Sequence, residues 1–179
     1  VASEGADEVV KVGSDSQGSI TLELNSGAFF KPGSAELQEQ ALPVLAQMFE
    51  ELASPIYSQF NLNIEGHTDD DPINSPLFPS NWELSAARAS TVIRFFEAQS
   101  ETAEDKIASN RMRAVGYGQT QPKFANRNEA GEPIRENQIA NRRIVIRVSR
   151  RPIFVRVKIP TFRRPAEPDP EAAEKDAKK

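Results

Sequence analysis

Apolar and polar residues alternate along four segments of the chain, a pattern typical of β-strands that bury one face. In the first segment, for example, Leu22 and Leu24 alternate with Thr21 and Glu23. We therefore predict four strands, over residues 19–25, 60–67, 111–118 and 144–150.

A helical spacing appears between these strands. Apolar residues over positions 42–56 recur three and four residues apart, and Pro43 fits such a helix in its first turn or at a kink. A second helix is predicted to begin at Ser80, because Ser80 and Glu83 form a capping box in which each side chain bonds the other's free backbone amide. "QIANRR", residues 138–143, predicts a short helical turn. Strands that alternate with helices predict an α/β (α+β) fold in which helices cover one sheet.

The 179 residues are enough for one well-packed domain with extensions. We predict a leader or linker over residues 1–14 and the folded domain over residues 15–150. Residues 151–179 form a C-terminal extension, in which "IFVRVKI" has the alternation of an extra strand. The proline- and charge-rich tail that follows is predicted to be disordered.

Composition excludes several classes of site. The chain has no cysteine, which rules out disulfides and thiolate metal sites, and it has one histidine. No apolar run in the sequence approaches the length that spans a bilayer.

Positive charge is concentrated near the C-terminal end. Residues 142–164 hold nine basic residues and no acidic one, whereas the rest of the chain holds 13 basic and 26 acidic residues. Such a stripe is typical of a nucleic-acid or anionic-surface binder, or of a solvated strand face. It lacks the interleaved aromatic residues that stack on bases, so we favour the strand face and predict no nucleic-acid partner.

The lone histidine gives little support to catalysis. His67 lies beside Asp69, Asp70 and Asp71, but no nucleophile motif of the G-x-S-x-G type is present, and a zinc site would need further histidine or cysteine ligands. The three aspartates could offer oxygens to calcium or magnesium, although the EF-hand glycine and terminal glutamate are missing. We predict no enzyme and no metal site, and a metal-dependent hydrolase using His67 and Asp69 is the weak alternative.

A binding site has more support. Asp69 follows the end of a predicted strand, where open α/β sheets place ligands. Arg88 shares a helix face with Leu84 and Phe95, so its guanidinium must either reach solvent or meet a carboxylate. Asp69 and Arg88 could form a plain salt bridge, or they could bind the ammonium and carboxylate of a zwitterion. The spacing leaves both interpretations open.

Four motifs together resemble the OmpA-like peptidoglycan-binding domain. "IEGHTDDDPI", "NWELSAARASTVIRFF", "RMRAVGYGQTQP" and "NRRIVIRV" occur in the family's order over residues 20–148. The resemblance implies a mixed four-stranded sheet covered by helices, with no catalytic activity and no cofactor. It also implies a ligand, the diaminopimelate-containing stem peptide of peptidoglycan, whose end is a zwitterion.

The resemblance also assigns roles to individual residues. Asp69 corresponds to the aspartate of the family's "HTD" motif and Arg88 to the arginine of "LSAAR", and these two would bind the ligand. Arg142, the first arginine of "NRR", would be the second cation of the site. Thr68 and Asn81 would line it or orient the loop.

Two further residues are expected to support the site rather than to bind ligand. Leu84 is expected in the core, and His67 is expected to have a structural role at the end of its strand. The segment "FKPGS", residues 30–34, replaces a polar residue that many members carry after the first strand.

Within the family, "HTDDDPI" followed by "NWELSAARA" is most similar to the flagellar motor stator subunits MotB and PomB. That similarity implies a homodimer, which would be the periplasmic part of a single-pass inner-membrane protein. It would anchor the ion-driven stator to peptidoglycan and would have a membrane partner subunit of the MotA/PomA type. A stand-alone outer-membrane lipoprotein or porin-type anchor is the alternative within the same class.

Overall fold

A five-stranded mixed sheet organises the part of the chain that the structure, a computed structural model, describes, which is residues 10–150. The strands lie in the order β1-β2-β5-β3-β4, and only β3 and β4 are parallel. Their bounds are β1 Val10–Ser14, β2 Ile20–Asn25, β3 Phe60–His67, β4 Met112–Gly118 and β5 Arg143–Arg150. The mixed α/β architecture is confirmed, and four of the five strands correspond to the predicted ones within a residue.

The fifth strand, β1, lies in the segment that the sequence predicted to be a leader. It pairs antiparallel with β2, with Val10 opposite Leu24 and Val12 opposite Leu22. Val12 is nevertheless 74% exposed. Backbone pairing therefore holds most of this edge strand, with Val10 alone of its residues partly buried against the core, so the described sheet has five strands instead of four. The boundaries of the domain and its extensions stay a prediction, because residues 1–9 and 151–179, including "IFVRVKI", lie outside the described residues.

Within residues 10–150, four α-helices accompany the sheet: α1 Ser26–Phe29, α2 Leu42–Ala53, α3 Asn81–Thr102 and α4 Arg135–Asn141. Pro43 lies in the first turn of α2, as its geometry requires. The cap of α3 differs from a full capping box, because the Ser80 hydroxyl accepts from the Trp82 amide and donates to the Glu83 carboxylate. None of the described helices is long and apolar enough to cross a membrane.

The core lies between one face of the sheet and the helices α2 and α3. Leu62 and Ile64 on β3 and Ile146 on β5 are fully buried against Phe49 and Phe96. Because successive strand residues point to opposite faces, Glu65 and His67 of β3 point to the other face of the sheet.

Two glycines let α3 lie directly against the sheet. A Cβ on Gly66 would be 2.1 Å from the carbonyl oxygen of Ser85, and one on Gly116 would be 2.8 Å from the Ala86 amide nitrogen. The Ser85 hydroxyl accepts a hydrogen bond from the Gly118 amide at 3.0 Å. This contact fixes α3 over the ends of β3 and β4, where the candidate site lies.

Candidate ligand-binding site

The bend after β3 is held by backbone and amide contacts from two neighbouring elements. The Thr68 amide donates to the Gly118 carbonyl at 2.9 Å, and the Thr68 hydroxyl donates to the Asp69 carbonyl at 2.8 Å. The Asn81 side chain, at the start of α3, donates to the carbonyls of Asp71 and Asp69, at 3.0 and 3.4 Å. Thr68 and Asn81 therefore orient the segment that carries Asp69.

Asp69 has an arginine as its direct partner, but the arginine is Arg142 rather than Arg88. Arg142 caps the C-terminal end of α4, and its Nη1 donates to Oδ2 of Asp69 in an ion pair. Asp69 is 6% exposed, whereas the Arg142 side chain is partly exposed. The simple Asp69–Arg88 salt bridge considered from the sequence is therefore not formed.

Arg88 is buried at 5% exposure next to this pair. Its Nε donates to the Ser34 carbonyl at 2.8 Å, and its guanidinium carbon lies 5.2 Å from the centroid of the Phe30 ring. Burial and repulsion by Arg142 lower the pKa of Arg88 to about 10, against the attraction of Asp69, so Arg88 stays charged at neutral pH. Among the described residues, no carboxylate lies within ion-pair distance of Arg88.

The three ionised groups form a cluster with one carboxylate and two guanidinium groups. The segment "FKPGS" contributes to it through the Ser34 carbonyl and the Phe30 ring. A buried guanidinium without a carboxylate partner favours an anion, and a buried carboxylate beside it favours a cation. The charges of this cluster are therefore chemically complementary to a small zwitterion.

Leu84 and His67, the two residues expected to support the site, are both buried. Leu84 is buried on the inner face of α3. His67 is 3% exposed, and its ring stacks on Tyr117 with 5.0 Å between centroids. Its Nε2 lies 3.8 Å from Oε2 of Glu65, too far for a hydrogen bond, and neither ring nitrogen has a hydrogen-bond partner among the described residues. So enclosed a ring cannot contact an external substrate, which argues against the hydrolase alternative.

Burial lowers the pKa of His67, with a smaller opposing effect from Glu65. The unfolded chain therefore binds a proton at His67 as the pH falls below about 6.5, whereas the folded protein resists protonation until a lower pH. We expect the free energy of unfolding to decrease over that interval. Denaturant unfolding at several pH values between 7 and 5 measures this decrease in the free energy of unfolding. The variant His67→Phe keeps a stacking ring but has no titratable group, so it should lose most of the pH dependence. An unchanged pH dependence in His67→Phe would contradict this assignment. The pKa of Glu65 is lowered below 4.5, so its own contribution falls outside this range.

Asp70 and Asp71 are engaged by side chains that the sequence did not bring into the site. Arg127 donates to Asp70 at 2.5 Å and to Asp71 at 3.1 Å. Arg135 donates to Asp71 at 3.0 Å, and Gln138 donates to both aspartates. The described residues contain no group of three histidine, cysteine or acidic side chains arranged to hold a metal ion.

The basic stripe is used internally where the structure describes it. Arg142 pairs with Asp69, and Arg147 pairs with Glu65 and Asp15. Arg143 donates to backbone carbonyls. These three arginines therefore make contacts within the fold and the site, whereas the sequence predicted a solvated strand face.

The model of the OmpA family matches residues 29–136, more than half of the chain. The chain therefore belongs to the OmpA family.

Individual relatives and solved structures narrow the type to an OmpA-like domain similar to MotB. Among curated relatives, the uncharacterized protein YtxE of Bacillus subtilis is 37% identical over 119 residues, covering 66% of this chain and 45% of YtxE. Motility protein B of Bacillus subtilis is 30% identical over 112 residues, covering 63% of this chain and 40% of that protein. The chain thus spans less than half the length of these curated relatives.

Two solved structures share the fold. A putative MotB-like protein from Desulfovibrio vulgaris has a TM-score of 0.67 and 32% identity, covering 82% of this chain and 85% of that one. The cell wall anchor of the type VI secretion system (T6SS) from Pseudomonas aeruginosa has a TM-score of 0.64 and 26% identity, covering 82% of this chain and 91% of that one.

Proposed function

We propose that this domain binds peptidoglycan without catalysis, through the zwitterionic end of a diaminopimelate residue in the stem peptide. The observation that carries the proposal is the cluster of Asp69, Arg142 and Arg88, in which the buried guanidinium of Arg88 pairs with no carboxylate from residues 10–150. Diaminopimelate has an amino group and a carboxylate on the same terminal carbon, and so it matches two opposite charges that lie close together.

The geometry suggests a role for each charged group. The ammonium of the ligand binds the Asp69 carboxylate, and the carboxylate of the ligand binds the terminal nitrogens of Arg88, because Nε of Arg88 already donates to Ser34. A guanidinium can bind a carboxylate through two parallel hydrogen bonds. Arg142 is the more exposed cation, so it neutralises Asp69 in the free protein and can shift outward when the ammonium arrives.

The relatives support a role as an anchor. The similarity to the cell wall anchor from Pseudomonas aeruginosa supports attachment to the cell wall. The similarity to Motility protein B supports a stator role, in which the domain is a homodimer in the periplasm and belongs to a single-pass inner-membrane protein with a MotA/PomA-type partner. The gene segment that encodes the residues before Val1 discriminates the alternatives. An apolar helix containing an acidic residue supports the stator, and a lipidation cysteine or barrel strands support the outer-membrane anchor.

Co-sedimentation with insoluble cell wall tests the proposed ligand. We expect the domain to sediment with peptidoglycan that contains diaminopimelate. Binding should be at least about tenfold weaker with peptidoglycan that has lysine at the same position, because lysine lacks the terminal carboxylate that Arg88 would bind. Equal sedimentation with both polymers would rule out diaminopimelate as the recognised group, and no sedimentation with either would rule out wall binding.

A further inference from the structure

One face of α4 contacts the segment Asp69–Asp71 residue by residue. Arg135, Gln138 and Arg142 are spaced by three and four positions, so they lie on the same side of the helix. Arg135 pairs with Asp71, Gln138 bonds Asp70 and Asp71, and Arg142 pairs with Asp69. The helix and the acidic segment therefore meet in a single register, running in opposite directions.

Gln138 is at the centre of this contact and has 0% exposure. Its Nε2 donates to Oδ1 of Asp70 at 2.9 Å and to Oδ1 of Asp71 at 3.0 Å. Its Oε1 accepts from Nη1 of Arg135 at 2.9 Å. A side-chain amide has two N–H groups and one carbonyl, so it satisfies all three partners at once, whereas an ionised carboxylate would have no donor for the aspartates.

Of the three aspartates, Asp69 is the one that belongs to the cluster with Arg142 and Arg88, because Asp70 and Asp71 pair with other arginines. Arg127 pairs with both Asp70 and Asp71, and Arg135 pairs with Asp71, so these two aspartates are balanced by two arginines. The Asp71 amide also donates to Oδ1 of Asp69 at 3.3 Å, which links the position of Asp71 to the orientation of the Asp69 carboxylate.

We infer that Gln138 is a positioning residue for the binding site, which sets where Asp69 lies relative to Arg142 and Arg88 and thereby determines selectivity for the ligand's ammonium group. Gln138 is fully buried, so it acts through Asp70 and Asp71 and touches no ligand. The inference rests on the proposed function, because it assumes that Asp69 binds an ammonium group.

Two synthetic tripeptides test this role by calorimetric titration of the domain. The first has meso-diaminopimelate as its third residue, and the second has 2-aminopimelate, which keeps the side-chain carboxylate but lacks the terminal amino group. We expect the wild-type domain to prefer the first peptide. In Gln138→Leu that preference should fall by about tenfold, the value of a hydrogen bond to a charged group, while affinity for the second peptide changes little.

A purely structural role predicts another result. If Gln138 supported only the fold, Gln138→Leu would reduce the active fraction, and both peptides would lose binding in proportion. If the wild-type domain prefers the diaminopimelate peptide and Gln138→Leu keeps that preference unchanged, the inference about Gln138 is overturned and the proposed function is not. The absence of any preference in the wild-type domain would overturn the proposed function together with it.

Two further variants guard against simple misfolding. Gln138→Glu places a third carboxylate beside Asp70 and Asp71 and should abolish the preference for the diaminopimelate peptide. The double variant, Gln138→Glu with Asp70→Asn, returns an amide donor to the contact and should restore part of that preference. Asn137→Ala is the matched control, because Asn137 lies on the same helix but donates to the Ala125 carbonyl at 2.8 Å, away from the acidic segment. This control should keep the wild-type preference, and a failure of the double variant to exceed Gln138→Glu would contradict the inference.

Discussion

Asp69→Asn is expected to abolish retention of the domain by insoluble peptidoglycan while leaving the fold intact. Asparagine has nearly the same shape as aspartate but no charge, so two guanidinium groups would face the ligand without a carboxylate. The ammonium of the ligand would then be repelled instead of bound. Loss of one partner from a buried charge pair costs about 2–5 kcal/mol, which corresponds to affinity weaker by roughly 30-fold or more.

Co-sedimentation over a range of peptidoglycan concentrations measures this loss, and circular dichroism checks the fold. Asp15→Asn is the matched control. Asp15 also pairs with an arginine, Arg147, but it does not belong to the cluster of Asp69, Arg142 and Arg88. The control should sediment like the wild-type domain. If Asp69→Asn sedimented equally well, the assignment of Asp69 as the ammonium partner would be wrong.

Gly66→Ala should have the largest effect on stability. The added Cβ would lie 2.1 Å from the carbonyl oxygen of Ser85, and a backbone atom within α3 cannot move aside as a side-chain tip can. We expect the free energy of unfolding to fall by about 3 kcal/mol, the upper part of the usual range for an overfilled core. Because Arg88 lies one turn beyond Ser85, displacement of α3 should also weaken peptidoglycan binding.

Denaturant unfolding measures this loss, and Gly13→Ala is the control for adding a methyl group to a strand. A Cβ on Gly13 would meet the Thr21 hydroxyl at 3.2 Å, and that hydroxyl can rotate away. Gly13→Ala should therefore change the free energy of unfolding far less than Gly66→Ala. Comparable values for the two variants would show that the contact between α3 and β3 is not as close as the structure indicates.

Local patterns predicted most of the fold because the elements of this chain bury one face each. The alternation of apolar residues gave four strands, and the spacing on α2 and α3 gave two helices. β1 was missed because its pairing is a backbone interaction that leaves Val12 exposed. The short α1 was missed because four residues are too few for a helical period to appear.

The site was predicted in part. Asp69 and Arg88 could be selected as candidates because Asp69 follows the end of a strand and Arg88 interrupts an apolar helix face. Asp69 and Arg142 are 73 positions apart along the chain. That both would belong to the site could be expected only from the family resemblance. Gln138 gave one local signal, its spacing from Arg135 and Arg142, but that spacing has no meaning until the partner segment is known.

The sequence by itself determined four of the five described strands, the two longer helices and the family of this protein, because those depend on the order of residues over a few turns or strands. The tertiary structure alone decided which charges meet. It paired Asp69 with Arg142, buried Arg88 where no carboxylate of the described residues pairs with it, and occupied Asp70 and Asp71 with Arg127, Arg135 and Gln138. Electrostatic interactions and hydrogen bonds depend on distances of a few ångströms between side chains, and those distances are set by how the elements pack.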